Sequence, residues 1–186
     1  MANNLIEVEI KFQIPDLSIL EEKIKAVGGR ELHRNIFQQT VRMDTPEESL
    51  KKKGIFLRVR DGEKKIMTVK SKLPGSDEKF KERQELEIEI SDVAIAEKIL
   101  IALGFTQKGI MEKYRTEYEL EKTILALDHL PFGSYLEIEG DKNSIEKVIK
   151  MLGLENQERL VCTYWHLFND YKKANNLTGE NIVFNK

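Results

Sequence analysis

Apolar and charged residues alternate strictly near the start of the chain, in the run from Ile6 to Phe12. This alternation predicts a β-strand, because successive side chains of a strand point to opposite faces. One face then carries Glu7, Glu9 and Lys11, and the other face is wholly apolar. Two carboxylates and an ammonium on neighbouring positions can together hold a divalent cation and an anion that the cation bridges.

The same alternation recurs along the chain. The predicted strands are residues 6–12, 56–60, 66–70, 83–90, 113–117, 123–128 and 135–139. Their charged faces carry the bases Lys11, Arg58, Arg60, Lys70, Lys113 and Arg115 and the acids Glu7, Glu9, Glu85, Glu87, Asp128, Glu137 and Glu139. On the strand of Glu85 we interpret Glu89 as structural, and Arg83 either as a phosphate contact or as a partner of the neighbouring acids.

Four segments have helical spacing of their apolar residues, at about 17–27, 93–103, 144–152 and 161–171. Ser18 and Glu21 suggest a capping box for the first helix, and Ser91 or Asp92 caps the second. The turn residues at 74–77 predict an exposed loop. From about Lys172 the chain is polar, and we expect a loosely ordered tail over about 172–186.

Composition narrows the class of protein. The 186 residues fit a single domain over 1–186, with its core at about 5–171. The formal net charge of −2 argues against a protein that binds nucleic acid through bulk charge. The start of the chain has no signal-peptide pattern, and no apolar run is long enough to span a bilayer, so we expect a cytoplasmic protein without a membrane partner.

The apolar strand faces need helices to cover them, whereas the charged faces allow two arrangements. In an open sheet they would face water; in a closed barrel they would line a tunnel. So many charges in one tunnel require neutralisation. Phosphate oxygens match the bases and Mg²⁺ or Mn²⁺ matches the carboxylates, so a triphosphate chain with metal is the natural occupant. A Walker-type phosphate loop is absent from the sequence.

The order of these motifs resembles the CYTH superfamily, the triphosphate tunnel metalloenzymes. The resemblance is carried by Glu-x-Glu-x-Lys at 7–11, Asp-Thr-Pro at 44–46, Leu-Arg-Val-Arg at 57–60, Thr-Val-Lys at 68–70, Arg-x-Glu-x-Glu at 83–87, Lys-Tyr-Arg at 113–115 and Glu-x-Glu at 137–139. The family often has an aromatic residue just before the position of Asp44, where this chain has Arg42 and Met43.

The resemblance implies an α+β fold: an eight-stranded antiparallel barrel tunnel with flanking helices. It implies that triphosphate is gripped by Arg58, Arg60, Lys70, Lys113 and Arg115, with Arg83 as a further candidate and Lys11 near the reacting phosphate or its attacking water. Metal would be held by Glu7, Glu9, Glu137 and Glu139, with Glu85 and Glu87 supporting a second metal or orienting the bases, and Asp128 as an additional ligand or a supporting group. Lys11 and Glu9 are the candidate catalytic residues.

The sequence leaves the reaction open. We favour hydrolysis of an inorganic, nucleoside or thiamine triphosphate by a monomer or homodimer. Formation of cyclic AMP from ATP, as in class IV adenylate cyclases, and triphosphate or polyphosphate binding without turnover are the alternatives. Asp44 is expected to cap a turn, and the three histidines lack metal-ligand spacing.

Overall fold

The computed structural model describes residues 6–75 and 79–185, in which eight strands close into one barrel. The strands are β1 (Ile6–Gln13), β2 (Arg30–Asp44), β3 (Ile55–Asp61), β4 (Ile66–Lys72), β5 (Lys81–Glu89), β6 (Thr106–Leu120), β7 (Thr123–Leu130) and β8 (Gly133–Glu139). The helices are α1 (Leu17–Ala26), α2 (Ser49–Lys52), α3 (Val93–Ala102), α4 (Lys142–Leu152) and α5 (Tyr164–Asn175).

Neighbouring strands of the barrel are antiparallel, in the order β1-β5-β4-β3-β2-β6-β7-β8. This confirms the predicted α+β fold with a closed antiparallel barrel. Of the predicted loop, Pro74 and Gly75 are exposed, and residues 76–77 lie outside the described part of the chain.

Strand β2 is not visible in the alternation of the sequence. Its pairing with β6 shifts register between Glu31 and His33, between His33 and Ile36, and between Arg42 and Met43. The first two shifts add a residue to β2 and the third adds one to β6. Each extra residue in β2 reverses which of the following side chains point inward. The regular period-2 pattern is therefore lost over these 15 residues.

The helices cover the apolar outer faces of the barrel. Helices α1 and α4 share one buried cluster with the outward side chains of β1, β7 and β8. Helix α3 packs on β2 and β3, and α5 packs on the turn between β7 and β8. Each fully buried leucine or isoleucine in these clusters contributes about 1.5–3 kcal/mol of transfer free energy. None of the helices in 6–75 and 79–185 is both long and apolar enough to cross a membrane.

The helix caps differ in part from those predicted. Helix α1 is capped by Asp16, which accepts from the backbone N–H of Ser18, so the proposed capping box is wrong. The helix begins at Leu17, so Ser18 already lies inside the first turn and Asp16 occupies the N-cap position, where its carboxylate reaches a free N–H group. Asp92 caps α3 as one of the two predicted choices, and α4 ends at Gly153 in the left-handed conformation.

The chain beyond Lys172 is ordered up to residue 185, contrary to the predicted loose tail. Helix α5 continues to Asn175, and Ile182 further on is fully buried. The N–H of Ile182 donates to Ile110 at 2.8 Å, and its carbonyl accepts from Glu112 at 2.7 Å. Strand β6 pairs with β7 only from Tyr114 onward. The C-terminal segment therefore satisfies backbone groups of β6 that β7 does not reach.

Candidate functional site

The inward-facing side chains of the barrel surround a cavity of about 890 Å³. Nearly all of the residues predicted from the sequence meet there. Those lining it are Glu7, Glu9, Lys11, Arg58, Arg60, Lys70, Arg83, Glu85, Glu87, Lys113, Arg115, Glu137 and Glu139. Asp128 lies behind the cavity wall and is fully buried. The charged faces thus converge on one interior.

Strands β1 and β8 form the side that we call the acidic side, defined by Glu7, Glu9, Glu137 and Glu139. Their pairing places Glu9 opposite Glu139 and Lys11 opposite Glu137. The buried ammonium of Lys11 forms ion pairs with Glu9 and, at 2.9 Å, with Glu137. Burial opposes this charge, but the two carboxylates outweigh it and raise the pKa of Lys11. With these ion pairs in place Lys11 is held in its charged form, which makes it a poor general base.

Glu9 is held ionised by several lysines. Burial and the nearby Glu137 oppose ionisation, but Lys11, Lys81 and Lys70 together lower the pKa of Glu9 to about 2. Lys81 contacts Glu9 directly through its ammonium group. The carboxylate stays charged at neutral pH and is a weak base.

Glu7 and Glu139 carry the unbalanced negative charge of the acidic side. Lys70 contacts both oxygens of Glu7, at 2.6 and 2.7 Å, yet burial and Glu9 raise the pKa of Glu7. Glu139 has no ion-pair partner in 6–75 and 79–185. Desolvation by the surrounding protein, Glu7 and Glu137 raise the pKa of Glu139 to about 7, although its side chain is open to cavity water, which screens part of this effect.

A divalent cation that prefers oxygen ligands would suit this excess of carboxylates, because its positive charge would balance theirs and their oxygens are the donors it prefers. Within the described residues, however, no three acidic, histidine or cysteine side chains already converge as a metal site. The lysines occupy positions on Glu7 and Glu9 that a metal would need. Magnesium or manganese binding thus stays a prediction, and it requires these lysines to shift.

Strands β3 and β6 carry the basic side, defined by Arg58, Arg60, Lys113 and Arg115. The last two bases are held by Asp128, whose oxygens accept from Lys113 at 2.9 Å and twice from Arg115 at 2.6 Å. The hydroxyl of Tyr164 donates to the same carboxylate at 2.7 Å. With these contacts Asp128 resembles the supporting group of the prediction more than a metal ligand.

Crowding of bases changes their proton affinity. Burial and the adjacent Arg115 lower the pKa of Lys113 to about 7, against the opposing effect of Asp128 and Glu137. Burial, Arg58 and Arg115 similarly lower the pKa of Arg60 to about 10. An anion placed between these groups would relieve the repulsion.

Several guanidinium nitrogens lack partners. Arg60 and Arg83 form no ion pair with any residue in 6–75 and 79–185. Arg58 lies 3.6 Å from Glu85, but its Nε and the Nη1 of Arg83 are buried without a hydrogen-bond acceptor. A buried donor without an acceptor costs about 1–3 kcal/mol. A ligand rich in acceptor oxygens would satisfy several of these donors at once.

Part of the cavity lining does not follow from the alternating pattern of the sequence. Lys81 lies two residues before Arg83 on the same face of β5, so a longer alternating window would have included it. Tyr164 and Trp165 enter from α5 and share no period with the strands. The ammonium groups of Lys11 and Lys113 lie 5.3 and 5.4 Å from the Tyr164 ring centre.

The predicted role of Asp44 is confirmed. Asp44 is buried and accepts from the backbone N–H groups of Thr45, Leu50 and Lys51, at 2.7, 2.9 and 3.0 Å, so it caps the turn into α2. His33 is half-buried and pairs with Glu63 at 3.0 Å.

A closed antiparallel barrel with acids on one inner side and bases on the other defines a tunnel protein. The chain belongs to the CYTH domain family, whose sequence model matches residues 5–159. A Methanocaldococcus jannaschii protein provisionally named an adenylate cyclase is 29% identical over 180 residues, covering 96% of this chain and 94% of that protein.

Solved structures share the fold. A Pyrococcus horikoshii protein is 27% identical with a TM-score of 0.71, covering 85% of this chain and 96% of its own. A Vibrio parahaemolyticus protein provisionally named an adenylate cyclase is 19% identical with a TM-score of 0.72, covering 88% and 98%. A Hippeastrum protein provisionally named an adenylyl cyclase, with a dominant triphosphatase activity, is 23% identical with a TM-score of 0.67, covering 88% and 95%.

Proposed function

We propose that the chain is a divalent-metal-dependent phosphoryl-transfer enzyme that hydrolyses a triphosphate bound inside the barrel. The observation that carries the proposal is the set of unsatisfied bases. Arg60 and Arg83 have no ion pair in the described part of the chain, and Arg58 and Arg83 have buried donors without acceptors. Guanidinium groups match phosphate oxygens in geometry and charge.

In this proposal the ion pairs inside the tunnel exchange partners when a triphosphate binds. Lys11, Lys70 and Lys81 now neutralise Glu7 and Glu9. A triphosphate would attract these ammonium groups and free the carboxylates. Glu7, Glu9, Glu137 and Glu139 would then hold Mg²⁺ or Mn²⁺, and Glu85 and Glu87 would assist. When bound, the metal supplies charge neutralisation at the phosphate oxygens.

The residues of the chain would act mainly by positioning and charge. Lys11 is a buried cation and stabilises negative charge that develops on the transferred phosphoryl group. Glu9 is a weak base because its pKa is about 2, so in this proposal its carboxylate holds the metal rather than removing a proton. This agrees with phosphoryl transfer in general, where orientation and electrostatic stabilisation dominate.

Cyclisation of ATP is the second candidate. It is favoured by the name of the 29%-identical Methanocaldococcus protein, whose match covers nearly the whole chain. Both reactions use the same grip on the phosphates. They differ in which phosphorus lies in line with a nucleophile. The Hippeastrum structure shows that a barrel of this fold can have a dominant triphosphatase activity, which makes hydrolysis a reaction to measure in parallel.

Product analysis tests both reactions. The protein is incubated with ATP, thiamine triphosphate or inorganic tripolyphosphate, with Mg²⁺, with Mn²⁺ or with EDTA. Orthophosphate release that requires metal supports hydrolysis, and cyclic AMP with pyrophosphate supports the cyclase. No product from any substrate would contradict both, and tight metal-independent binding without product would support a binding module. The Glu155→Gln variant, which changes an exposed glutamate and is purified in the same way, is the control and should give the same products as wild type.

A further inference from the structure

The segment that follows the family match supplies part of the cavity wall. The match ends at residue 159, whereas α5 begins at Tyr164. From this helix Trp165, His166 and Asn169 line the same cavity as the phosphate-binding candidates. Trp165 and Asn169 are four residues apart and so lie on one face of α5.

The barrel is shaped to hold the Trp165 ring. A Cβ atom at Gly109 of β6 would lie 2.9 Å from two ring carbons, so only glycine leaves room there. Arg42 is paired with Gly109 across β2 and β6, and its guanidinium lies 5.7 Å from the ring centre. Arg42 is itself tethered to Glu48 at 3.2 Å. Ring and guanidinium are thus positioned together.

This aromatic position adjoins the basic side. Arg42 lies directly opposite Arg58 in the pairing of β2 with β3, which places their side chains on one face and about 5 Å apart at Cβ. A group attached to the end of a triphosphate gripped by Arg58 can therefore reach Trp165.

Beside the Arg42 guanidinium, this position offers groups that a phosphate chain alone does not need. Trp165 Nε1 and Arg42 Nε are buried and have no acceptor, and the exposed Asn169 amide makes no hydrogen bond in the described part of the chain. An indole ring offers a stacking surface, and an asparagine amide matches the donor–acceptor edge of a heterocycle. An inorganic triphosphate would use neither group.

We propose that Trp165 and Asn169 bind the planar heterocycle of an organic triphosphate, and that the substrate is such a compound rather than inorganic tripolyphosphate. This inference rests on the proposed triphosphate site. The ring stacks on Trp165 and its edge contacts Asn169. A nucleoside triphosphate and thiamine triphosphate share this chemistry, and the experiment separates them.

Binding is measured without metal, in EDTA, so that no turnover occurs. Trp165 is the only tryptophan of the chain, so its fluorescence reports on this position alone. ATP, GTP, thiamine triphosphate and tripolyphosphate are titrated in parallel, with calorimetry giving the occupancy. We expect strong quenching at saturation by at least one organic triphosphate and little by tripolyphosphate. The ligand that quenches and binds most tightly identifies the heterocycle.

Variants separate stacking from a purely structural role. Trp165→Ala is expected to weaken binding of the organic triphosphate by about 5- to 150-fold, the range for loss of one base–aromatic stack, while tripolyphosphate binds within about twofold of wild type. Trp165→Phe should recover part of the loss. Asp170→Ala, an exposed neighbour on α5 outside the cavity, is the matched control.

Each outcome decides between the two proposals. Equal loss of both ligands in Trp165→Ala, or no loss of either, would overturn the heterocycle site and leave the triphosphate site standing. If wild type binds neither tripolyphosphate nor any organic triphosphate, the proposed function itself fails. Because Trp165→Phe keeps an aromatic ring against Gly109, it still tests the site if Trp165→Ala does not fold.

Discussion

On the acidic side, an ion pair with a lysine or arginine neutralises each of the carboxylates of Glu7, Glu9 and Glu137. Glu139 forms no ion pair with any of the described residues. On the basic side, Asp128 holds Lys113 and Arg115, whereas Arg60 has no partner in the same ranges. Each side is partly neutralised by the protein and each keeps an excess of its own sign.

The difference shows what each side can still bind. Ion pairs alone could have neutralised the whole interior, as they do in a structural network. Instead the excess negative charge lies on β8 and the excess positive charge on β3, which are well separated in the strand order. A metal–triphosphate pair would neutralise both sides with one ligand, which neither a cation nor an anion alone would do.

Removing Asp128 should have the largest effect, because this carboxylate is fully buried and holds both Lys113 and Arg115. Asp128→Ala leaves Lys113 and Arg115 buried and without their main partner. We expect a loss of about 3–5 kcal/mol in the free energy of unfolding, measured by urea denaturation. Glu117→Gln is the matched control, since Glu117 meets Arg115 only at 3.5 Å and should cost under about 1 kcal/mol. Similar losses in both variants would refute this role.

On the acidic side, Glu137→Gln should abolish turnover rather than folding. The substitution removes one charge from beside Lys11, which keeps Glu9 as its partner. We expect about a 10²- to 10³-fold lower kcat for the best substrate, as for loss of one group that stabilises the transition state. Binding of tripolyphosphate in EDTA should be kept or strengthened, because an anionic neighbour is gone. A variant with normal kcat would show that the acidic side is not part of the catalytic machinery.

The contrast between the two sides was only partly predictable. Regular alternation reveals which side chains share a strand face, so residues such as Arg58 and Glu137 could be assigned to the interior from the sequence. Strand β2 could not, because its bulges interrupt the period. The tunnel itself was derived from the crowding of charge and from family resemblance, since alternation alone fits an open sheet equally well.

Side chains that reach the site from outside the strands escaped the sequence analysis altogether. Tyr164 and Trp165 look like core residues of an amphipathic helix, and only the packing of α5 shows that they line the cavity. The pairing of each acid with a particular base was also beyond prediction. It depends on register, which places Lys11 opposite Glu137 and is set by contacts far apart in the chain.

On the basic side, Arg60→Ala tests whether a base without a protein ion pair binds the phosphate chain of the ligand. We expect weaker tripolyphosphate binding in EDTA by about 1.5–3 kcal/mol, roughly 10- to 150-fold in Kd, measured by calorimetry. Stability should not fall, because Arg60 loses no protein ion pair in the described ranges and its removal relieves repulsion with Arg58 and Arg115. Arg30→Ala, which removes an exposed arginine paired with Glu119, is the control and should leave Kd unchanged. An unchanged Kd in Arg60→Ala would contradict the proposed grip.

The smallest effect concerns the proton on Lys113, whose pKa is lowered to about 7 by burial and by Arg115. A bound triphosphate favours the ammonium form and so raises this pKa. Below pH 7 the proton is already present and the affinity for tripolyphosphate does not change through this group. Above pH 7 binding must take up the proton, so the affinity should fall by at most about tenfold per pH unit.

Calorimetry at pH 8 in two buffers of different ionisation enthalpy measures this proton directly, in EDTA so that no metal contributes. We expect net uptake of up to about one proton at pH 8 and almost none at pH 6. Lys113→Arg, which stays charged throughout, should abolish the uptake and keep binding. On the acidic side Glu9 is ionised at both pH values because its pKa is about 2, but Glu139, with a pKa raised to about 7, also titrates in this range, so wild-type Lys113 and Lys113→Arg are compared in the Glu139→Gln background. If the uptake persists in Lys113→Arg, the proton belongs to another group. Lys113 would then not be a base that gains a proton when the ligand binds.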